Sequence, residues 1–415
     1  MTFPRLTTNA GSALILVKVK TITILGNNSG RNAGDNAILG NLLDDFALQR
    51  QDIRFKVPTL SPAFIRKHFG HHPVKPIGLL PWNLALKNLG LPLPLAMLRT
   101  DLVLIVDNIL FDRKFNNPFV NNLNMISRIA PLCKRRGIPV VMYNCSIGPV
   151  GRDCGVRALR RVLAASPLVI TRDHATIDLV RRLIPDPPEL ALHADCALNT
   201  VIPPPDRLDA IIRREGLFTN PKGTIGLNVN AYIDDFNQKG TADRERFCRL
   251  IAATADNLIE RLGVDILFTV SQIMDMTITR YCAGLSRHPD RIRIVGNRDY
   301  TYRELSGLLS RLEVHAGLRT HTLIFCAAVN TPMVNINAYP KSAGFMETIG
   351  MGEWTIRFED LSEARLTETI LRAHAQRAAL RERMRPLVEI EKRKARASVE
   401  RVLQILDAAS GRYAG

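Results

Sequence analysis

The segment Gly317-Leu318-Arg319-Thr320-His321 places a guanidinium and an imidazole two residues apart, where the pattern predicts that a loop turns into a helix. The first N–H groups of a helix lack internal partners, and the helix dipole adds partial positive charge there. Phosphate and carboxylate groups bind at such ends. Arg319 offers a planar fork of donors, and His321 can transfer a proton near neutral pH. We predict an anion site here; the alternative is that Arg319 caps a loop and His321 packs.

Two further cations follow predicted strands. Lys341 closes the segment Asn337-Ala338-Tyr339-Pro340-Lys341, directly after the strand predicted at Met333–Ile336. Arg172 stands just past the strand predicted at Leu168–Thr171, from which it can reach an anion across a cleft. A contact between Arg172 and Asp173 that organises the next helix is nearly as good an account of this arginine.

The loop Gly26–Gly34 is rich in glycine and asparagine, but it matches neither Gly-x-Gly-x-x-Gly nor a P-loop. This counts against a cradle for a dinucleotide or ATP. Its glycines let a ligand approach the backbone, and the amides up to Asn36, together with Asp35, suit sugar hydroxyls. Asp35 also suits a helix N-cap, and the two roles can coexist.

Asp107 directly follows an apolar strand predicted at Leu102–Val106, with Asn108 beside it. At the mouth of a cleft, Asp107 can accept a hydroxyl proton or orient an acceptor. A lone carboxylate is as often structural, and we weigh the two roles evenly. Asp195 is interpreted as structural. No Gly-x-Ser-x-Gly elbow is present, which disfavours hydrolysis by a serine nucleophile.

The composition is that of a globular protein, with 46% hydrophobic and 23% charged residues among 415, and this length favours two domains. The net charge of +17 favours anionic partners, but scattered basic residues and the lack of known motifs argue against nucleic acid. Seven separated cysteines indicate a reducing cytoplasm. His68, His71 and His72 have no carboxylate or cysteine beside them in sequence, so we expect no metal.

No apolar run reaches the length of a membrane span. The most lipophilic stretch, Ile77–Met97, either rests on a membrane face or covers a core edge, and the two readings are about equally good. The basic surface also suits a peripheral place at the inner membrane face, where lipid-linked intermediates lie. Soluble substrates remain open.

Short β-branched runs alternate with helical patterns, which indicates an α/β fold with parallel sheets. Proline clusters near 185–188 and 203–205 divide two such series. We expect an N-terminal αβα domain over 1–202, a C-terminal αβα domain over 203–362, and a helical tail over 363–415 with a break near Pro386. Both domains would be Rossmann-like and face a cleft lined by the C-terminal ends of their strands.

Several segments resemble the polysaccharide pyruvyl transferase family in order and spacing, over about Ile24 to Met351. They are Gly26-Asn27-Asn28 with Gly34-Asp35-Asn36, Pro139-Val140-Val141 with Ser146-Ile147-Gly148-Pro149, Thr171-Arg172-Asp173-His174-Ala175-Thr176, and Gly317-Leu318-Arg319-Thr320-His321 with Tyr339-Pro340-Lys341. The chain departs from the family in having Asp107-Asn108-Ile109 where members often carry consecutive glycines. Its tyrosine and lysine are also one residue closer together.

The resemblance implies a fold like that of GT-B glycosyltransferases and transfer of the enolpyruvyl unit of phosphoenolpyruvate to two sugar hydroxyls as a ketal. It implies that Arg319 and His321 contact the donor and that Arg172 assists. We expect Lys341 to hold the donor anions and Asp107 or Asp35 to serve the acceptor, a sugar or lipid-linked oligosaccharide. No metal or other cofactor is required.

Two alternatives remain at this stage. One is a GT-B-like glycosyltransferase that uses a nucleotide sugar, although no clear Glu/Asp pair for the base and ribose is evident in the second domain. The other is a non-catalytic carbohydrate-binding protein of polysaccharide assembly.

Overall fold

The computed structural model describes residues 19–79, 92–117, 121–233, 242–338 and 340–411, and within them lie two parallel β-sheets. The first sheet has the strand order β3-β2-β1-β4-β5-β6-β7. Its strands are β1 Lys20–Leu25, β2 Ile53–Thr59, β3 Val74–Gly78, β4 Leu102–Ile105, β5 Val140–Cys145, β6 Leu168–Thr171 and β7 Glu189–Leu192. Every residue of β4 and β6 is buried, and all but Thr171 are apolar, because helices cover both faces of a parallel sheet.

The second sheet has the strand order β10-β9-β8-β11-β12-β13. In both sheets the strand order reverses beside the strand that comes first in the chain, between β1 and β4 and between β8 and β11. Its strands are β8 Thr224–Asn228, β9 Asp265–Val270, β10 Ile292–Gly296, β11 His315–Gly317, β12 Met333–Asn337 and β13 Thr355–Arg357. In an open parallel sheet, ligands bind beyond the carboxyl ends of the strands at such a reversal. The predicted α/β fold with two Rossmann-like units is confirmed.

Helices connect the strands. In chain order they are α1 Ala33–Gln49, α2 Pro62–Phe69, α3 Pro92–Leu98, α4 Asn122–Arg135, α5 Asp153–Leu163, α6 His174–Leu183, α7 Pro205–Glu215, α8 Ala242–Leu262, α9 Met276–Gly284, α10 Tyr302–Leu309, α11 Thr320–Ala328, α12 Pro340–Thr348, α13 Glu363–Ala375 and α14 Arg377–Gly411. None of those in the described part of the chain is long and apolar enough to cross a membrane.

The helices divide between the two faces of the first sheet. One core joins α1 and α14 to this sheet and continues into the second sheet, through residues such as Leu42, Tyr143 and Val399. A separate core lies under α3, α4, α5 and α6 on the opposite face, with Val103 and Leu159 among its members. The four helices α3–α6 therefore form an outer layer of the first unit.

Helix α1 lies where the two units meet, and 13 of its 17 residues are buried. Its N-cap is Asn32, whose side-chain oxygen accepts the Gly34 N–H at 2.9 Å. Asp35 was a candidate for this cap but instead sits inside the first turn. Its carboxyl group is consequently free to face the strand ends.

The expected break of the tail near Pro386 is wrong. The helices α13 and α14 part at Gln376, and α14 runs through Pro386 without ending. α14 then returns from the second unit to the first: Arg377 pairs with Glu313 at 2.5 Å, whereas Asp407 accepts two hydrogen bonds from Arg50 at 2.7 and 2.8 Å. The tail therefore links both units.

Ser398 of α14 is fully buried behind the strand ends of the first sheet. Its hydroxyl donates to Oδ1 of Asn144 at 2.7 Å and lies 2.9 Å from Nδ1 of His193. We predict that Ser398→Ala lowers the free energy of unfolding by about 1–3 kcal/mol, because the buried Asn144 and the half-buried His193 lose a hydrogen-bond partner. Denaturant unfolding measures this, with Glu400→Ala on the exposed side of the same helix as the control. Equal stability of the two variants would contradict the prediction.

Candidate active site

Three neighbouring strands of the first sheet end in polar residues. Asp107 follows β4 by two residues, Asn144 lies at the end of β5, and Arg172 directly follows β6. Asp107 and Asn144 have φ angles of 62° and 46°, a left-handed conformation that aspartate and asparagine tolerate better than most other residues. The Ser146 N–H donates to the Asp107 carbonyl at 3.1 Å, which ties the two turns together.

Arg172 is the centre of the cluster. Its guanidinium pairs with Asp195, donates to Oγ of Ser146 at 3.3 Å and lies 3.8 Å from Oδ1 of Asp107. One of its nitrogens is also 3.2 Å from Nε2 of His321. Burial alone would raise the pKa of Asp195, but the charges of Arg172 and His321 outweigh burial and hold this pKa well below its usual range. Asp195 therefore stays ionised as the counterion of the cluster.

His321 enters this cluster from the second unit, at the start of α11. Its Nε2 lies 3.5 Å from Oδ2 of Asp195. The other edge of the ring rests on the first turn of α1, where a Cβ added to Gly34 would lie only 2.2 Å from Nδ1. Only a glycine at position 34 leaves room for the imidazole. The two units thus meet at His321.

Asp35 and Asp107 form a carboxyl pair beside Arg172. Burial raises the pKa of Asp35 well above its usual value, and the charge and proximity of Asp107 raise it further. Asn32 donates to Oδ1 of Asp35 at 3.1 Å, while the buried Oδ2 has no donor among the described residues. Burial and a second carboxyl group nearby both disfavour the ionised form of Asp35, which is why its pKa is raised.

Lys341, near the start of α12, completes the cluster. Burial and the neighbouring charge of Arg172 lower its pKa, whereas Asp173 and Asp107 act in the opposite direction. Asn108 donates to the carbonyls of Ser146 and Gly148 at 3.0 Å when its amide is oriented to satisfy both ends, and its oxygen then accepts from Nζ of Lys341 at 3.2 Å. Tyr339, two residues before Lys341, lies outside the described residues.

We expected Arg319 to offer its guanidinium to an anion, but in this structure the guanidinium is paired with a carboxylate of the protein. Its Nε and one terminal nitrogen donate to the two oxygens of Asp275 at 2.7 and 2.6 Å, and Asp275 is completely buried. Its backbone N–H donates to Asn228 at 3.0 Å. In this structure Arg319 fixes the loop before α11, and it does not join the cluster around Arg172.

Asn36 also lies apart from the cluster. Its side-chain amide donates to the Gly30 carbonyl at 3.3 Å and so holds the glycine-rich loop.

Sequence reasoning missed two carboxylates. Asp195 was interpreted as structural, although its place just beyond β7 is the same signal that marked Asp107 and Arg172. Asp275, the partner of Arg319, comes from a loop 44 residues away, and nothing near Arg319 in the sequence pointed to it.

The histidines near 70 do have a carboxylate beside them, contrary to the sequence-based expectation. Oδ1 of Asp44 in α1 lies 3.0 Å from Nε2 of His72. Asp44, His71 and His72 together form a group whose ligand atoms lie close enough to hold a metal ion. Asp44 is also paired with Arg303. The positive charge of Arg303 opposes a metal ion at the same carboxylate.

The two parallel sheets, their reversal points and the cluster between them define a GT-B-like α/β fold. HepE of Anabaena, solved with UDP and glucose, is 13% identical with a TM-score of 0.59, and the match covers 94% of this chain and 100% of HepE. The UDP-GlcNAc 2-epimerase of Neisseria meningitidis, bound to UDP-GlcNAc, is 8% identical with a TM-score of 0.59, covering 93% and 99%. A ugt transferase of Siraitia grosvenorii with UDP is 10% identical with a TM-score of 0.54, covering 95% and 100%. These identities show the fold alone.

A search of curated proteins by sequence gave no match. The sequence model of the polysaccharide pyruvyl transferase family matches residues 32–338, and the chain belongs to this family. The matched region contains Asp35, Asp107, Arg172 and His321, and Lys341 follows it by three residues.

The raised pKa of Asp35 predicts a pH-dependent effect of Asp35→Asn. Because the folded-state pKa is raised, wild-type Asp35 contributes stability below its unfolded pKa of about 4 and loses it as the pH rises through the folded pKa. An asparagine can donate an N–H to Asp107 without taking up a proton. The variant should therefore be more stable than wild type near neutral pH, by about 1.4 kcal/mol for each unit of raised pKa.

Denaturant unfolding across a pH series tests this, and the gain should vanish toward about pH 4. Asp178→Asn on the exposed side of α6 is the control and should change little at any pH. A gain that is absent near neutral pH, or that persists in acid, would show that folding does not raise the pKa of Asp35.

Proposed function

We propose that this protein transfers the pyruvyl group of phosphoenolpyruvate to two hydroxyls of a sugar in a polysaccharide precursor, forming a pyruvate ketal and releasing phosphate. Family membership supports a transferase that acts on polysaccharide. The observation that carries the proposal is the convergence of Arg172, Lys341 and His321 on a carboxyl pair, Asp35 and Asp107, between the two sheets.

The donor needs positive potential, because phosphoenolpyruvate carries about three negative charges near neutrality. The positive groups are Arg172, Lys341 and the start of α11, which begins without a side-chain cap. A protonated Asp35 carries no negative charge and so does not weaken this positive potential. The first unit (1–202) then serves the acceptor and the second (203–362) the donor, with Asp107 and Asn108 on one side of the gap and His321 on the other.

The reaction balances with the groups present. A proton added to the methylene carbon of the donor makes it a methyl group, and a sugar hydroxyl adds to the adjacent carbon and loses its own proton. Phosphate then leaves, a second hydroxyl adds, and its proton goes to the phosphate. His321 supplies the first proton or else takes up the phosphate, and the carboxylate of Asp107 accepts a hydroxyl proton. Arg172 and Lys341 stabilise the departing phosphate.

Arg319 takes a supporting role in this scheme. Its pairing with the buried Asp275 holds the turn that carries His321, so Arg319 positions the acid and does not need to touch the donor. The acceptor is a sugar or a lipid-linked oligosaccharide, and the chemistry assigned to these residues requires no metal or redox group.

The central test is His321→Ala. Incubation with phosphoenolpyruvate and candidate acceptor sugars, with phosphate release and product mass as readouts, should show a loss of about 10²–10⁴-fold. His174→Ala at the exposed start of α6 is the matched control and should retain activity. Normal turnover by a folded His321→Ala protein would remove His321 from the mechanism.

The same assay separates the alternatives. Release of UDP from a UDP-sugar, with no phosphate from phosphoenolpyruvate, would indicate a glycosyltransferase. Sugar binding with neither reaction would indicate a non-catalytic protein of polysaccharide assembly.

A second prediction concerns the donor. Lys341→Ala should weaken phosphoenolpyruvate binding by about tenfold or more, because a half-buried cation that can pair with a phosphate or carboxylate is removed. Isothermal titration of the acceptor-free protein measures this, with Lys67→Ala on the exposed side of α2 as the control. Unchanged affinity in Lys341→Ala would place the donor elsewhere.

A further inference from the structure

The outer layer α3–α6 of the first unit is strongly basic. Residues 121–184 hold 11 basic and 3 acidic residues, a net charge of +8 out of +17 for the whole chain. Ten of these basic side chains are exposed, against two exposed aspartates, Asp153 and Asp178. The excess therefore faces outward and is not consumed by the ion pairs of the cleft.

The basic side chains share one side of the molecule. α4, α5 and α6 connect the consecutive parallel strands β4 to β7, and such right-handed crossovers place their helices on one face of a sheet. A common apolar core beneath them confirms that placement. Arg157 and Arg161 of α5 and Arg181 of α6 are exposed on this layer.

The same side also exposes large apolar side chains. Leu95 of α3 is 42% exposed and Leu132 of α4 is 36% exposed. These two helices are adjacent, since the Cys133 thiol of α4 contacts the Met97 carbonyl of α3 at 3.7 Å. Leucines among arginines are the composition by which a peripheral protein enters the headgroup region of a bilayer.

We infer that the α3–α6 face, with its exposed arginines and the leucines 95 and 132, docks on a bilayer of anionic phospholipid. Positive side chains gain from the negative surface potential of such a bilayer, and the leucines gain from the headgroup boundary. Nucleic acid fits this face less well. Within 121–184 the single Phe, Trp or Tyr is Tyr143, which is buried, so α4, α5 and α6 expose none of the three rings on which bases stack most strongly.

The inference stands apart from the proposed reaction, because membrane binding can be measured without donor or acceptor. Co-sedimentation of the full chain with vesicles of equal parts phosphatidylglycerol and phosphatidylcholine should show binding at low salt. Pure phosphatidylcholine vesicles should bind much less, and high salt should weaken binding to the anionic vesicles.

Charge reversal locates the surface. The triple variant Arg157→Glu, Arg161→Glu, Arg181→Glu should lose at least about tenfold in vesicle affinity. Arg160 is left unchanged because it donates to the Leu183 carbonyl at the end of α6. The control triple, Arg213→Glu, Arg246→Glu, Arg280→Glu, changes the net charge equally at exposed positions elsewhere and should bind nearly as wild type does.

The apolar part has its own variant. The double variant Leu95→Ser, Leu132→Ser should lose the part of the vesicle binding that persists at moderate salt. Circular dichroism verifies that each variant is folded, and single reversals at the same arginines replace any that is not.

Three results would overturn the inference. The first is that the wild-type protein fails to bind phosphatidylglycerol vesicles at low salt. The second is that both triple variants lose vesicle affinity equally. The third is that the protein binds RNA through the same arginines but does not bind vesicles. Loss of phosphate release in a variant that still binds vesicles would bear on the reaction and not on this surface.

Discussion

The buried ion pair between Arg172 and Asp195 is the interaction on which the candidate site depends. Removing one member of a buried pair leaves an unpaired charge and typically costs about 3–5 kcal/mol. Arg172 also contacts Ser146 and lies near Asp107, so its guanidinium is held from several directions. Because His321 lies within 3.2 Å of the same guanidinium, this pair also sets where the two units meet. An anion that enters the gap finds a fixed positive group, and no reorganisation is then needed as charge develops.

Helix α1 supplies the other half of this constraint. Most of its residues are buried, and its first turn touches the strand ends of its own sheet through Asp35 and the second unit through Gly34. A side chain at position 34 would displace the imidazole, and an ionised Asp35 would add a negative charge beside Arg172, where we propose that the donor binds. The glycine at position 34 and the raised pKa of Asp35 therefore both favour an anion in the gap.

Much of this arrangement could be predicted because it follows from topology. Residues that directly follow strands of parallel sheets collect at one edge, and this rule alone brought Asp107, Arg172 and Lys341 to attention. The partners of these residues could not be predicted in the same way. Arg319 pairs with Asp275, 44 residues away in the sequence, and Asp44 pairs with His72, 28 residues away. No local sequence pattern encodes contacts over such separations. The passage of α14 through Pro386 likewise depends on packing against both units.

The distribution of charge connects the site to the outer surface. Within the cleft the cations are nearly balanced: Asp195 neutralises Arg172, and Asp173 and Asp107 lie close to Lys341. In the proposed reaction, selectivity for a small, highly charged donor would come from the positions of these groups and from the uncapped start of α11, not from a large positive field. Nearly half of the basic excess of the chain, +8 of +17, lies instead in residues 121–184, mostly on the helices outside the first sheet, where it can act over longer distances on an extended anionic surface. A net charge of +17 is thus explained by the exterior of this protein more than by its site.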